Sequence, residues 1–438
     1  MTTTATRTTL QEMLDNWVVL LVAFLLVFFS FGVPNFSLPF MYKPAMDEFG
    51  WSNTEVNLLS TAKFLIGAVA ALGMGILVDK IGGKTAVLIG AVCGGLAMLT
   101  FWFATNLPIY YFAGGLLGLS AASIVAAMKV VVSRLFDINQ GLAIGIVLSA
   151  TSMGQTLMPL VWGPLLDQGV NWRHIAGVLS LGSLVISAPM WVYFMSRPGA
   201  TQDVINASTK KAANGPTMME HFKVISKESG FWLIIAAVFL ISAVDQAMTQ
   251  NYVTYLNVDK GFNIRAIAWA SSFAGILAVV SKPLAGWIYD RYSLAGIKFF
   301  YFLLSVSILL ALPVGGVLTL LIYLAVQGLA HGGLIVEVPV LTKHYLGSRN
   351  LGMTIGLVSV AVNLGFAAGP PVLGYFVDTF GSYEYGLITY AAVAFFSFLL
   401  LIPIKPRFWT PPGKRKPVAQ GSDAATTASP GALRPASA

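Results

Sequence analysis

The chain has 438 residues, of which 56% are hydrophobic and only 10% charged, where an average soluble domain carries about 25%. That balance excludes an ordinary water-soluble globule. The formal charge of +8 does not indicate nucleic acid, because its Lys and Arg residues lie in the breaks between apolar runs and in the tail, the pattern of membrane orientation. The lone cysteine, Cys93, excludes a disulfide framework or a cysteine-ligated metal.

Residues 1–16 are polar and carry few charges. The apolar run behind them is longer than a signal-peptide core and has no clear small-residue cleavage site, so it reads as a retained first span. About a dozen apolar stretches of roughly 20 residues follow along the chain, each able to cross about 30 Å of hydrocarbon as a helix that satisfies its own backbone. Spans are predicted over 17–40, 54–78, 85–104, 108–132, 141–165 and 173–195, then over 231–256, 266–289, 297–315, 318–342, 351–376 and 384–404. Between the two sixes, Arg197 to Gly230 holds Lys210, Lys211, His221, Lys223 and Lys227, too polar to span and long enough to link two bundles. The predicted organisation is a cytoplasmic N-terminus (1–16), an N-terminal six-helix bundle (17–196), a cytoplasmic central loop (197–230), a C-terminal six-helix bundle (231–404) and a tail (405–438). The tail lacks the apolar content to fold and is expected to be disordered.

Orientation follows from the basic residues. Lys80, Lys84, Arg134, the central loop, Arg291, Lys298, Lys343, Arg349, Lys405 and Arg407 fall on one side, while the other side is balanced or acidic: Lys43 against Asp47 and Glu48, Asp167 near Arg173, Asp259 beside Lys260, and Asp378 with Glu384. Both termini are therefore expected in the cytoplasm.

The same features recur 211 residues apart. Gly75 and Asp79 match Gly286 and Asp290; the last glycine of Gly141 to Gly145 matches that of Gly352 to Gly356; Gly163 with Asp167 matches Gly374 with Asp378. Two halves of one design, with a substrate site at their interface near the bilayer midplane, are the expected result.

The loop after the second span reads Gly75-Ile-Leu-Val-Asp79-Lys80-Ile-Gly82-Gly83-Lys84, with a degenerate copy in Gly286-Trp-Ile-Tyr-Asp290-Arg291. This resembles the signature of the major facilitator superfamily. The resemblance implies an all-α membrane fold of twelve transmembrane helices in two six-helix pseudo-symmetric bundles, and a gating role for Gly75, Asp79, Lys80, Gly83, Lys84, Asp290 and Arg291, with close helix approach at the glycines and an aspartate that caps a helix or pairs with a base. Phe49-Gly50-Trp51-Ser52 with Glu55, and Lys282-Pro283-Leu-Ala-Gly286 in the eighth span, resemble the monocarboxylate porter and oxalate/formate porter branches. Where those relatives place an arginine before the proline, this chain has Lys282. One turn earlier it has Ala278, where monocarboxylate porters of the animal type resemble one another in having an aspartate. A cation keeps the anion-binding position, and the proton-coupling group is left to be found elsewhere.

Buried charge is costly in a bilayer, roughly 2.5 to 3.5 kcal/mol on insertion scales, so it marks an interior or a pathway. Lys282 stands eight residues before Asp290, about 12 Å from the helix end, too deep for easy snorkelling. It is the candidate carboxylate binder. Lys63, nine residues into its span, is either a second binding cation or a residue paired or snorkelling outward, too far out to sit close to Lys282. Asp245, with Gln246, Gln250 and Asn251 nearby, is a proton carrier or a member of a structural ion pair. His331, beside Gly332 and Gly333, suits substrate contact and proton coupling as a residue type that changes charge at about pH 5 to 8, or is a hydrogen-bonded core histidine. Glu337, six residues on, lies on a different helix face; it is a proton-coupling candidate or the partner of Lys129 across the halves. Asn35, Gln155 and Asn363 face the pathway or join helices, and Phe36, Tyr252 and Phe366 are candidate walls for an apolar substrate body. Spans 3, 6, 9 and 12 carry no charge in their interiors, as outer supports would.

No enzyme constellation is present. The four histidines are scattered without metal-ligand spacing, and the glycines lie inside apolar helices rather than in a phosphate loop, so no metal and no cofactor are expected. The reading is a monomeric secondary transporter of the cell membrane (the inner membrane in a Gram-negative source), with lipid, protons and a small organic anion as partners. The anion is expected to be a monocarboxylate, aromatic or muconate-like, carried by proton symport with alternating access. A proton-driven exporter of apolar compounds, a dicarboxylate/monocarboxylate exchanger and a non-transporting sensor are the alternatives. Lys282 argues against the exporter.

Overall fold

The computed structural model describes residues 16–135, 140–196, 218–347 and 351–409; within its helices the side chains of 72–80, 125–127, 129–131, 133–135, 140–142, 218–219, 221 and 351–352 lie outside the description. Every regular element among the described residues is helical. The first bundle comprises α1 (Trp17–Phe49), α2 (53–80), α3 (Ile81–Trp102), α4 (Leu107–Leu135), α5 (Gln140–Asp167) and α6 (Trp172–Met195). The second comprises α7 (Ser229–Val258), α8 (Ile264–Tyr292), α9 (Leu294–Ala311), α10 (Val317–Leu334, resumed as Glu337–Leu346), α11 (Leu351–Phe380) and α12 (Glu384–Leu401). Eleven stretches among the described residues are long and apolar enough to cross a membrane, and α2 is the twelfth helix of the fold. Twelve crossings put Asn16, the Met218–Ile225 helix and residues 405–409 on one side, called the terminal face below.

Local sequence explains where the helices depart from the predicted spans. The expected break between spans 2 and 3 shrinks to one residue, Gly82 (φ 81°, ψ 155°), a conformation that glycine adopts without a Cβ penalty. Span 1 runs on to Phe49, through Pro39 and Pro44, and stops at Gly50 (φ 68°), a left-handed C-terminal stop. Span 10 is interrupted at residues 335–336. Pro339 follows there and has no N–H to give the Ile335 carbonyl, so the helix ends and restarts. The predicted central loop contains a helix, Met218–Ile225, whose Phe222 packs against Phe231 (6.2 Å) and Trp232 (6.3 Å) at the start of α7. The calls on 1–15, on 197–217 and on the tail beyond 409 lie outside the described residues.

Without a hydrophobic difference between lipid and helix faces, close packing and interhelical hydrogen bonds hold the bundles. In the first, a Cβ on Gly154 would come within 2.6 Å of Gly32, so α5 and α1 meet backbone to backbone. Both α1 and α6 carry a π-helical turn, at Phe28–Gly32 and Gly182–Ser187. These turns face each other: Ser30 Oγ lies 2.7 Å from Ser183 Oγ, Ser183 donates to the Ala91 carbonyl (2.7 Å), and Ser120 donates to the Ser30 carbonyl (2.9 Å). Wider turns and serine bonds thus join four helices without any charge. Large apolar residues such as Trp269, Trp287 and Phe299 are at least half exposed, as a lipid-facing surface requires.

Candidate substrate and proton site

The deep polar side chains of the two bundles converge where the halves meet. On α7 and α10, His331 Nδ1 lies 2.9 and 3.0 Å from the two carboxylate oxygens of Asp245, and both residues are buried. The sequence offered each as a proton carrier separately. Their pairing needed the helix-to-helix packing. Gly332, the next residue of α10, has room for no side chain: a Cβ there would be 2.7 Å from the Ala278 carbonyl of α8. The acid–imidazole pair therefore sits at the level of Ala278. Lys282 is four residues further along α8, about 6 Å in depth at the helical rise.

Lys282 is half-buried and its amine donates to Ser152 Oγ of α5. It is a cation of one half held by a neutral hydroxyl of the other. Such a contact leaves the charge uncompensated and ready for an anion. Ser152 went unnoticed in the sequence, where it is one of many helical serines.

Lys63 is 2% exposed, donates to Asn35 Oδ1 of α1, and lies 4.6 Å from the centre of the Phe64 ring. This excludes outward snorkelling. Phe64 in turn packs on Phe366 of α11 at 4.9 Å, so one of the expected wall residues closes the gap between halves. Asn57 and Asn251 exchange two amide hydrogen bonds of 2.9 Å between α2 and α7. That antiparallel register puts Lys63, six residues along α2, opposite Asp245, six residues back along α7. Lys63 thus lies at the depth of the pair and about one turn in depth from Lys282, deeper than the sequence suggested.

Glu337 is buried beside the break in α10 and accepts from the Tyr301 hydroxyl of α9 (3.1 Å), while its Oε2 has no partner. Its proposed partner Lys129 has a side chain outside the described set. Tyr252 is half-buried against Ser271 of α8. Gln155 leaves its amide oxygen unpartnered in the interior, and Asn363 donates to Ser359 of its own helix (2.8 Å).

The side chains of Gly75, Asp79 and Lys80 lie outside the described residues. Gly83 is buried at the α2–α3 corner. Lys84 donates to Ser196 Oγ (3.0 Å) and its carbonyl accepts from Trp191 Nε1 (3.0 Å), tying α3 to α6 within one half. The Asp290 carbonyl accepts from Trp409 (3.2 Å), and Arg291 lies about the rings of Trp287 and Tyr292 on its own helix. Among described residues, no group of three or more His, Cys, Asp or Glu is placed to hold a metal ion.

Residues 20–318 and 296–436 match the family model of the Major Facilitator Superfamily. The chain belongs to the major facilitator superfamily. Among its curated relatives, Monocarboxylate transporter 12 of Xenopus laevis is 25% identical over 325 residues, covering 68% of this chain and 69% of its own. Monocarboxylate transporter 4 of Gallus gallus is 23% identical, covering 85% and 79%, and the uncharacterized transporter YcxA of Bacillus subtilis is 23% identical, covering 89% and 95%. Among solved structures of the superfamily's fold, a mutant of the nucleoside transporter NupG superposes with a TM-score of 0.73 at 14% identity, covering 88% of this chain and 99% of that one. A bacterial homolog of the human lysosomal transporter Spinster, inward-facing and unoccupied, gives 0.69 at 12%, covering 89% and 95%. This member of the superfamily is a multi-pass membrane transporter of a small molecule, similar to the monocarboxylate porter branch.

Proposed function

We propose that the protein moves a small organic monocarboxylate across the cell membrane by proton symport, with both chain ends in the cytoplasm. The observation that carries this reading is the hydrogen-bonded Asp245–His331 pair one helical turn from the Lys282 amine, at the seam of the two halves. Lys282 receives the substrate carboxylate, with Lys63 and Asn35 across the cleft and Tyr252, held against Ser271 further along α8, as a wall for the substrate body. The pair carries the proton. With an added proton, Asp245–His331 is neutral overall; without it, the pair presents a net negative charge that competes with substrate for Lys282. A charge in the low-dielectric interior is felt more strongly than in water, so a change in the pair's net charge bears on how readily the nearby cation takes an anion. In the monocarboxylate porters resembled here the carboxylate stands on the eighth helix. The pair at the level of Ala278 supplies that carboxylate from α7 instead. Glu337, with one oxygen unpartnered, is a further station for the proton on the route to the terminal face.

The test is uptake of labelled aliphatic and aromatic monocarboxylates into proteoliposomes under an imposed inward proton gradient. Gradient-driven uptake that disappears in Lys282→Ala supports the reading. Uptake that ignores the gradient, or transport unaffected by Lys282→Ala, removes it in favour of export of apolar compounds. A second reading, dicarboxylate exchange, draws on two buried cations, Lys63 and Lys282, about one helical turn apart in depth; it predicts that an internal dicarboxylate accelerates uptake and that Lys63→Ala abolishes the acceleration.

A further inference from the structure

The face opposite the chain ends carries a contact between halves that substrate and proton chemistry do not use. A helix begins with N–H groups that lack intrahelical partners. At the start of α2, four are met: Ser52 N–H by Glu55 Oε2 (2.8 Å), Glu55 N–H by Ser52 Oγ (3.2 Å), and the two between, Asn53 and Thr54, by Asp378 Oδ1 (2.9 Å) and Oδ2 (2.8 Å). Ser52 and Glu55 form a capping box within the helix. Asp378 comes from α11 of the other half. The side chains of Asn53 and Thr54 also donate to it, at 3.1 and 2.5 Å. One turn earlier, Gly374 lets the backbones touch, since a Cβ there would be 2.8 Å from Asn53.

The internal repeat places a second copy on the same face. Asp167, at the end of α5, accepts from the side-chain amide of Asn263 (3.3 Å), and Asn263 caps α8 by accepting from Arg265 N–H (2.7 Å). Gly163, one turn before Asp167, packs on Ala268, whose Cβ a side chain at 163 would approach within 2.2 Å. Gly163 with Asp167 and Gly374 with Asp378 are related by the repeat. The copy at Asp378 is the tight one, with four bonds against one.

Toward the terminal face α5 and α8 separate. On α5 and α8, Thr156 touches Gly275; eleven residues back along α5 and eleven on along α8, neither Gly145 nor Gly286 has an atom within 4 Å of a built Cβ. Eleven residues are about 16 Å of helix. The halves are clasped at one end and parted at the other.

We propose that Asp378 is the latch of this clasp: it closes the face opposite the chain ends by capping a helix of the other half, with Asp167 as its weaker repeat, and its release is what lets that face open. A carboxylate at a helix N-terminus is favoured by bonds and dipole together, and both are lost when the halves part there. Opening therefore leaves two N–H groups of α2 to water, which sets the balance between the two access states.

The experiment uses the full chain in proteoliposomes with Cys93→Ser as background. Gly145→Cys reports on the terminal face, and Val253→Cys, buried at 1% beside the cleft between halves on the opposite face, reports on the latch side. Asp378→Ala is expected to raise the maleimide labelling rate at Val253→Cys and lower it at Gly145→Cys, each by about fivefold, the population change that losing one cap produces. Thr54→Val, which removes a single bond, and Asp167→Ala should move both rates the same way by less. Unchanged rates in folded Asp378→Ala overturn the proposal; should that variant fail to fold, unchanged rates in Thr54→Val do so.

Discussion

His331 Nδ1 and the Asp245 carboxylate lie 2.9 Å apart at their closest, joining α10 to α7 in the interior. A shared proton between them is the simplest way for this chain to feel a gradient, because the pair changes net charge without exposing either group. Asp245→Asn is expected to cut proton-driven uptake at least tenfold while counterflow exchange of the same substrate stays within about threefold, the split that separates a lost driving force from a lost binding site. Equal loss of both in a well-folded protein would assign the pair to structure.

The proposed proton coupling also carries a pH dependence. On that reading the protonated pair leaves Lys282 to the substrate, and substrate affinity should rise as pH falls on the side where the site opens. Equilibrium binding in detergent at several pH values checks this, and in His331→Ala the slope should flatten.

Lys282 acts as a point charge held by Ser152. Lys282→Ala should abolish measurable uptake, Lys282→Arg should retain a fraction of it, and Ser152→Ala should change the apparent KM by only a few-fold, since it removes a neutral hydrogen bond worth about 1 kcal/mol. A collapse in Ser152→Ala as deep as in Lys282→Ala would mean that the hydroxyl itself binds substrate.

The Asn57–Asn251 exchange is a buried, closed pair. Either single alanine substitution leaves an amide unsatisfied, at a cost of about 1 to 3 kcal/mol, whereas removing both costs less than the sum. Thermal unfolding of the two single variants and the double variant in detergent gives the coupling; additive losses would show that the two amides act independently.

Two glycines of α5 should answer differently to a methyl group. Gly154→Ala drives a Cβ into the Gly32 backbone and should lower Tm by several degrees, as overpacking does. Gly145→Ala meets open space and should leave Tm within about a degree of the parent. Thermal scans of both variants decide.

Composition and hydropathy alone fix the solvent in which this chain folds: with so few charges and a dozen apolar runs, only helices can satisfy the backbone. The 211-residue repeat and the Gly75 to Lys84 motif likewise carry the two-bundle superfamily fold in the linear sequence, because each is a local pattern. Lys282, Asp245, His331 and Lys63 were legible as candidates for the same reason, an ionisable group inside an apolar run. The rest depended on which helix faces meet. Nothing in the sequence pairs Asp245 with His331, seats Lys282 against Ser152, or brings Lys63 into their layer, since those contacts span 28 to 130 residues and follow from crossings set by glycines. The break in α10 was missed by a span predicted unbroken over 318–342, whereas the corner at Gly82 falls inside the predicted gap between spans 2 and 3 and only its narrowness needed a backbone angle. Asp378 shows the limit best: in the sequence it is one acidic loop residue and a repeat marker, and only docking of the halves makes it the cap of a helix 324 residues away, because the bonds that hold it belong to backbone groups that every sequence shares.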